Sequence, residues 1–283
     1  MAEMQYVREL LSTGIGTQGT LLIPRKIHDT LIEEVDKNLI PRSEAMLYVG
    51  PGQVPGSSYD LNLTSPNTMD VRVVSEGAEI PLDQVEYTNT NIRPLKYGVS
   101  VRITRELLED AKWNLLQHNV MYAGKRLAEN ENSLVVTALD SAANTVSGGA
   151  AVTIPNITRG MQYLRDSDFT PTTLFIGMEV LTDLMNIDLF SDASKFGNNE
   201  MLSKGFVGSI YGMNVIAVST NAGMTTTSAY ITDKRWAYTI VEKRPVTVEN
   251  FELPSYDMSA AAITQRIAVT AIRTSAIAKI TSS

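Results

Sequence analysis

The stretch from Met46 to Tyr97 constrains this chain more than any other, because it is long, polar and too thin in apolar residues to fold onto itself. Pro51, Gly52, Pro55, Gly56, Ser57 and Ser58 lead into an alternating run, Tyr59-Asp-Leu61-Asn-Leu63-Thr, the period-2 signature of a half-buried strand. A second polar turn region, Ser65 to Asp70, precedes Val71-Arg-Val73-Val74, and a third alternation (Tyr97, Val99, Val101, Ile103) closes the segment. Between them lie four acids, Glu76, Glu79, Asp83 and Glu86. The pattern predicts two or more extended strands forming a long arm. A lone hairpin is marginal in water, so the arm is expected to order itself against another subunit.

The flanking segments read as conventional elements. Residues 1–12 carry a short helical pattern, and Gly14 to Thr20 reads as a flexible arm. Pro24 suits the first turn of a helix, with Ile27, Leu31, Ile32 and Val35 on one face. Residues 104–143 form the longest helical region. Thr104 is its N-cap, Ile103 and Leu108 form a staple across that cap, and Leu108, Ala111, Leu115, Val120, Ala123, Leu127, Leu134, Ala138 and Ala142 keep one apolar face. Unbroken, such a helix would span up to ~60 Å, with Gly124 as a place to kink. From 150 to 232 helix signals near 156–166 and 178–187 alternate with strand signals at 173–176, 215–218 and 229–232, giving a compact α/β lobe. A glycine-punctuated loop, Asp188 to Gly212, interrupts it, and the C-terminal third reads as strands at 236–241, 246–249 and 263–272.

Searching for chemistry yields exclusions. There is no cysteine, so disulfides, thiolate metal sites and cysteine nucleophiles are ruled out. A formal charge of -7 disfavours gripping DNA phosphates through counterion release or docking on an anionic membrane. The N-terminal residues lack a signal peptide's cationic start and apolar core, so intracellular synthesis is the expectation. Gly14-Ile-Gly16-Thr-Gln-Gly19 matches a dinucleotide fingerprint, but a helical signal precedes it where a strand is needed. His28 and His118 are the only histidines and have no acidic or histidine partner at helical spacing. No catalytic, cofactor or metal site is expected. Glu33-Glu34, and Glu129 with Glu131, read as solvated helix faces. The four acids of the arm have two readings: simple solubility, or pairing with Arg or Lys of a neighbouring subunit to fix register. Arg102 and Arg105 are the candidate partners.

The order of parts resembles the Hong Kong 97-type major capsid proteins of tailed bacteriophages and related archaeal viruses. Four stretches carry the likeness: Gly19-Thr-Leu-Leu-Ile-Pro24 through Ile32; Ser75-Glu-Gly-Ala-Glu-Ile-Pro81 followed by Lys96-Tyr-Gly-Val-Ser-Val-Arg-Ile-Thr-Arg-Glu-Leu-Leu-Glu-Asp110; Gly208-Ser-Ile-Tyr-Gly212-Met-Asn-Val215; and Gln265-Arg-Ile-Ala-Val-Thr-Ala-Ile-Arg273 with Ala276-Ile277. The second, similar to the family's passage from extended loop to spine helix, is the most specific.

The resemblance implies an α+β fold. It comprises an N-terminal arm (1–22), an extended loop (46–97), a peripheral domain with a long spine helix (23–45, 98–145, 233–262) and an axial α/β domain (146–232, 263–283). It further implies homo-oligomeric hexamers and pentamers of an icosahedral virion capsid, assembled in the host cytoplasm and enclosing double-stranded DNA without sequence-specific binding. No membrane partner is implied. Two departures shape the expectation. No lysine occurs between Lys37 and Lys96, so the loop cannot supply the amine that some relatives crosslink, and a non-covalent shell follows. The chain also starts almost directly with the arm, so a separate scaffold protein, or none, is expected in place of a fused one; the resemblance also implies a separate portal protein. Two alternatives stand beside this: an encapsulin-like shell enclosing a cargo enzyme, and a soluble α/β enzyme using the glycine-rich stretch.

Overall fold

The computed structural model describes residues 40, 42–64, 71–80, 82–83, 85–110, 115–186 and 208–282. The expected helix after Pro24, His28, Glu33-Glu34, the glycines at 14–19 and most of the 188–212 loop lie outside the described residues.

Two sheets and one long helix organise the chain. The first sheet has four strands in the order β1 (Leu47–Val49), β10 (Tyr238–Leu253), β11 (Met258–Ala271), β4 (Leu95–Thr104). The second has six, ordered β5 (Asn144–Gly149), β12 (Ile277–Ser282), β9 (Ser228–Thr232), β6 (Thr173–Ile176), β8 (Met213–Ala217), β7 (Ser209–Ile210). A separate two-stranded ribbon pairs β2 (Tyr59–Thr64) with β3 (Tyr87–Ile92). The helices are α1 (Arg105–Asp110), α2 (Leu115–Leu139), α3 (Ile154–Asp166) and α4 (Met178–Met185).

Side-chain alternation explains why the six-stranded sheet is covered on both faces. Leu174 and Ile176, Ala229 and Ile231, and Ala278 and Ile280 point one way, onto Ile157, Met161 and Leu164 of α3 and Val180 and Leu184 of α4. Phe175, Tyr230 and Ile277 point the other way, into a cluster with Val135, Val136 and Leu139 of α2. The same cluster takes Ile240 and Ile267 from the four-stranded sheet, so the C-terminal half of α2 is packed between both sheets. Its earlier turns lay Val120, Ala123, Leu127 and Ala128 on Val246 and Ile263. Each fully buried aliphatic side chain of this kind contributes roughly 1.5–3 kcal/mol.

The expected spine is present in two described pieces. Thr104 caps α1 as its sequence position predicts, its Oγ1 accepting from the Leu107 N–H at 3.3 Å. Helix α2 has 25 residues and passes through Gly124 without ending, a rod of about 37 Å against the ~60 Å of an unbroken region. The strands expected at 236–241 and 246–249 are one continuous strand, β10, and the β10–β11 ladder passes residues 262 and 263 without a break. The chain therefore changes sheets between Ala271, where β11 ends, and Ile277, where β12 begins, instead of at Ile263. A strand keeps its partner as long as the ladder stays in register, and the side-chain pattern carries no mark of that handover. In the loop, Val71 to Val74 form no strand; β2 finds its partner in Tyr87–Ile92, a Thr/Asn-rich run whose apolar content is too low to announce it. At the β7–β8 hairpin, Tyr211 (φ 50°) and Gly212 (φ 81°) make the two-residue turn, both central residues in the left-handed region as a type I′ turn demands.

Gly177 precedes α4 where two carbonyl groups crowd the backbone; a Cβ there would meet the oxygen of Thr226 and lie 2.6 Å from that of Thr225. Backbone cannot give way as a flexible side chain does. Gly177→Ala is expected to cost about 1–3 kcal/mol, read as a lower thermal midpoint of the unassembled chain.

Candidate assembly interface and the charge cluster behind it

The loop between β1 and β4 has a buried root and an exposed outer part. At the root, Val54 and Ile92 pack with Val49 and Val241, and Lys243 donates to the Gly56 carbonyl. The ribbon itself is tied by polar rungs: Asn89 to Asn62 at 2.8 Å and Asn91 to Ser58 at 3.1 Å. Its outer end is pinned by Arg273, which donates to the Thr64 carbonyl at 2.6 Å while its guanidinium lies 5.2 Å from the Trp236 ring centroid. Beyond that, Val71 is 99% exposed, Val73 103%, Leu82 97% and Ile80 72%. These side chains gain nothing from folding of the single chain.

Of the acids singled out from sequence, Glu76, Glu79 and Glu86 are exposed and form no ion pair among the described residues. Asp83 instead faces Arg72 of its own loop at 3.6 Å. Arg102 is exposed. Arg105 pairs within its own chain, with Asp257 at 3.2 Å and Glu252 at 3.6 Å; solvent-exposed pairs of this sort contribute about 0–1 kcal/mol. No described helix is long and apolar enough to cross a membrane, and the described residues contain no cluster of potential metal ligands.

Behind the loop lies a cluster that the pattern of charges does not announce. Glu131, read from sequence as part of a solvated helix face, is 2% exposed. Arg42, just before β1, grips it with two hydrogen bonds, Nε to Oε1 at 2.8 Å and Nη2 to Oε2 at 2.9 Å. The same guanidinium reaches Glu242 of β10 at 3.3 Å and lies 5.1 Å from the Tyr48 ring centroid. Tyr48 donates its hydroxyl to Glu242. Gln265 of β11 closes the network, its Nε2 donating to Glu131 and Glu242 at 3.1 Å each. Burial by itself would lower the Arg42 pKa, but the hydrogen bonds to Glu131 and the charges of Glu131 and Glu242 outweigh it and raise it. Burial, then the hydrogen bond to Glu242, pushes the Tyr48 phenol well above its usual value. Nothing here is a nucleophile or a base poised toward a cavity; the chemistry is that of a joint. One sequence signal does point to it: Leu127, Glu131 and Val135 are spaced by four, so Glu131 occupies the apolar stripe.

Removing one partner of a buried pair leaves the other charge uncompensated. Glu131→Ala is expected to cost about 3–5 kcal/mol, whereas Glu86→Ala, at an exposed carboxylate of the loop, should stay within ~0.5 kcal/mol; urea denaturation of the two variants separates them.

Two carboxylates elsewhere make the fold acid-sensitive. Asp233 is buried and accepts from the N–H groups of Thr170 (2.9 Å) and Arg235 (3.0 Å) and from the Arg235 guanidinium (3.1 Å). Burial alone would raise its pKa, but Arg235 and these backbone donors hold it below the usual range. Asp140 is lowered likewise: Lys279 and the Tyr230 hydroxyl outweigh a desolvation that would raise it. A depressed folded pKa contributes stability that is present above the unfolded value near ~3.9 and is lost as pH falls through the lower folded value. The thermal midpoint is therefore expected to drop steeply below about pH 4, and Asp233→Asn to flatten that drop while costing about 1–3 kcal/mol at neutral pH.

Comparison with known proteins identifies the architecture. Residues 87–280, more than half of the chain, match the family model described as phage capsid protein. No curated protein sequence matches the chain. A solved chain from Mycobacterium phage Che8 is similar with a TM-score of 0.68 at 12% identity, over 80% of this chain and 85% of that one. The mature capsid of bacteriophage PhiM1 gives 0.64 at 12% identity, over 87% of each chain. A virus-like particle from Pyrococcus furiosus gives 0.61 at 16% identity, over 90% of this chain and 98% of that one. With two sheets bridged by a spine helix, a projecting loop and a family match that runs from β3 into β12, this chain belongs to the phage capsid protein family and has the Hong Kong 97-type fold of a major capsid protein.

Proposed function

We propose that copies of this chain close head-to-tail into rings of five and six that tile an icosahedral shell around double-stranded DNA, held together without covalent crosslinks. The observation that carries this reading is the apolar outer loop. Val71, Val73 and Leu82 are almost fully exposed and Ile80 largely so on a segment whose root is buried, an arrangement that supports packing of the outer part on another copy. Spreading burial over arms of this kind joins subunits through several modest contacts, and heterologous contacts close into rings when the rotation permits. Glu76, Glu79, Asp83, Glu86, Arg102 and Arg105 are the polar members of that contact. The lack of any lysine between Lys37 and Lys96 supports a non-covalent shell, and the charge of -7 supports enclosure of DNA without sequence-specific grip. Separate scaffold and portal proteins, and assembly in the host cytoplasm, belong to the same reading; co-expression with candidate scaffolds tests the former.

Negative-stain images of the purified chain are expected to show closed particles, and boiled samples a single band on a denaturing gel. Particles filled with one packed enzyme in place of DNA would instead identify a cargo compartment. Val71→Ser combined with Val73→Ser and Leu82→Ser should leave the monomer's thermal midpoint within about 2 °C, since surface changes stay within ±0.5 kcal/mol, and abolish the particles.

A further inference from the structure

Three cations stand side by side across the four-stranded sheet. Lys96 of β4 is the registered partner of Arg266 of β11, and Arg266 is in turn the registered partner of Arg244 of β10. Directly opposed residues share a face with their Cβ atoms ~5 Å apart, and like charges so placed repel. The opposite face carries Val99, Val246 and Ile263 against α2, so the row lies on the face that α2 does not cover. The bulge at Arg244, with register shifts on both sides, helps turn this side chain away from the face on which its near neighbour Glu242 is buried. With Arg93, Ser57, Pro94 and Leu95 the three cations line a cavity of about 370 Å³ whose walls contain no acidic residue.

Among the described residues, the hydrogen bonds of the row go to neutral groups. Arg244 Nη2 donates to Thr264 Oγ1 at 2.8 Å and Arg266 Nη2 to the Pro94 carbonyl at 3.3 Å. Arg244 Nε is shielded from solvent and has no hydrogen-bond partner, an omission that normally costs ~1–3 kcal/mol. A row of like charges is stabilised by an anion seated among them. The exposed segment Ser75-Glu-Gly-Ala-Glu79 has the complementary defect: carboxylates with no cation among the described residues, on a turn whose Gly77 sits at φ 81°.

We infer that the cavity at Arg93, Lys96, Arg244 and Arg266 is a carboxylate receptor, and that its occupant is the Glu76–Glu79 turn of a second copy of this chain. This rests on the shell-forming reading and adds to it a specific ionic register: the apolar loop residues supply burial, and the turn locking into the cationic row decides where along the neighbour the loop stops. Charge pairs of this kind act on specificity and on the rate of encounter, and weaken with salt.

A charge swap in the full-length chain tests it. Glu76→Lys with Glu79→Lys reverses the turn; Arg93→Glu with Lys96→Glu reverses the two exposed cations of the cavity and leaves Arg244 and Arg266 in place. Each double variant, with an unchanged thermal midpoint as monomer, is expected to lower particle yield about tenfold near 0.15 M salt, and the combination of all four to restore it to within about threefold of wild type. Double variants that assemble like wild type, or a quadruple variant no better than its parents, overturn the pairing while leaving the shell reading intact. A wild-type chain that forms no particles overturns both. Unchanged yield with loss of retained DNA in the Arg93→Glu, Lys96→Glu variant assigns the row to phosphodiesters and also overturns the pairing.

Discussion

The two hydrogen bonds between Arg42 and Glu131 join parts of the chain 89 residues apart, and the remaining architecture is hung on that joint. Through Glu242 and Gln265 it reaches β10 and β11, while Asn132, the next residue of α2, accepts from the Ile40 N–H at 2.9 Å. The helix is thereby fixed in rotation and in translation against the sheet. Apolar packing alone would tolerate a slide by one residue more readily than a forked guanidinium–carboxylate contact does, because the latter is directional. Buried ion pairs are costly to assemble, and their best-attested use is to specify one arrangement among several of similar apolar content. Here the specified arrangement includes the root of the extended loop, since Arg42 and Tyr48 flank and occupy β1, from which the loop departs.

This gives the molecule a rigid frame and an incomplete appendage. The frame is closed: both faces of the six-stranded sheet are covered, and α2 spans the two sheets. Among the described residues the appendage is closed at its base, by Val54, Ile92, Val49 and Val241, and at its outer end by Arg273 on the Thr64 carbonyl. A shell subunit needs this division. The frame is buried and complete within one chain, whereas the loop leaves its outer apolar side chains exposed.

Much of the fold was legible where burial is one-sided and periodic. The alternation at Tyr59 to Leu63, the Thr104 cap, the α/β lobe and the exposed, thinly apolar character of the loop follow from residue spacing, because helices and strands present fixed periods to a core. Glu131 was misread because charge is ordinarily a surface property, although its place in the Leu127–Val135 stripe contradicted that. The partner of β2 was missed because Tyr87 to Ile92 pairs through backbone and asparagine amides and buries little.

What the sequence determined by itself was the set of elements, the lack of cysteine chemistry and a segment unable to complete its own core; these depend on composition and on contacts within a few residues. Which strands share a sheet, that β11 stays with β10 until Ala271, and that Lys96, Arg266 and Arg244 stand in one row were decided only in three dimensions. The physical reason is that ladder register and charge clusters join residues as much as 200 positions apart, and no local pattern records which distant partner a side chain will meet.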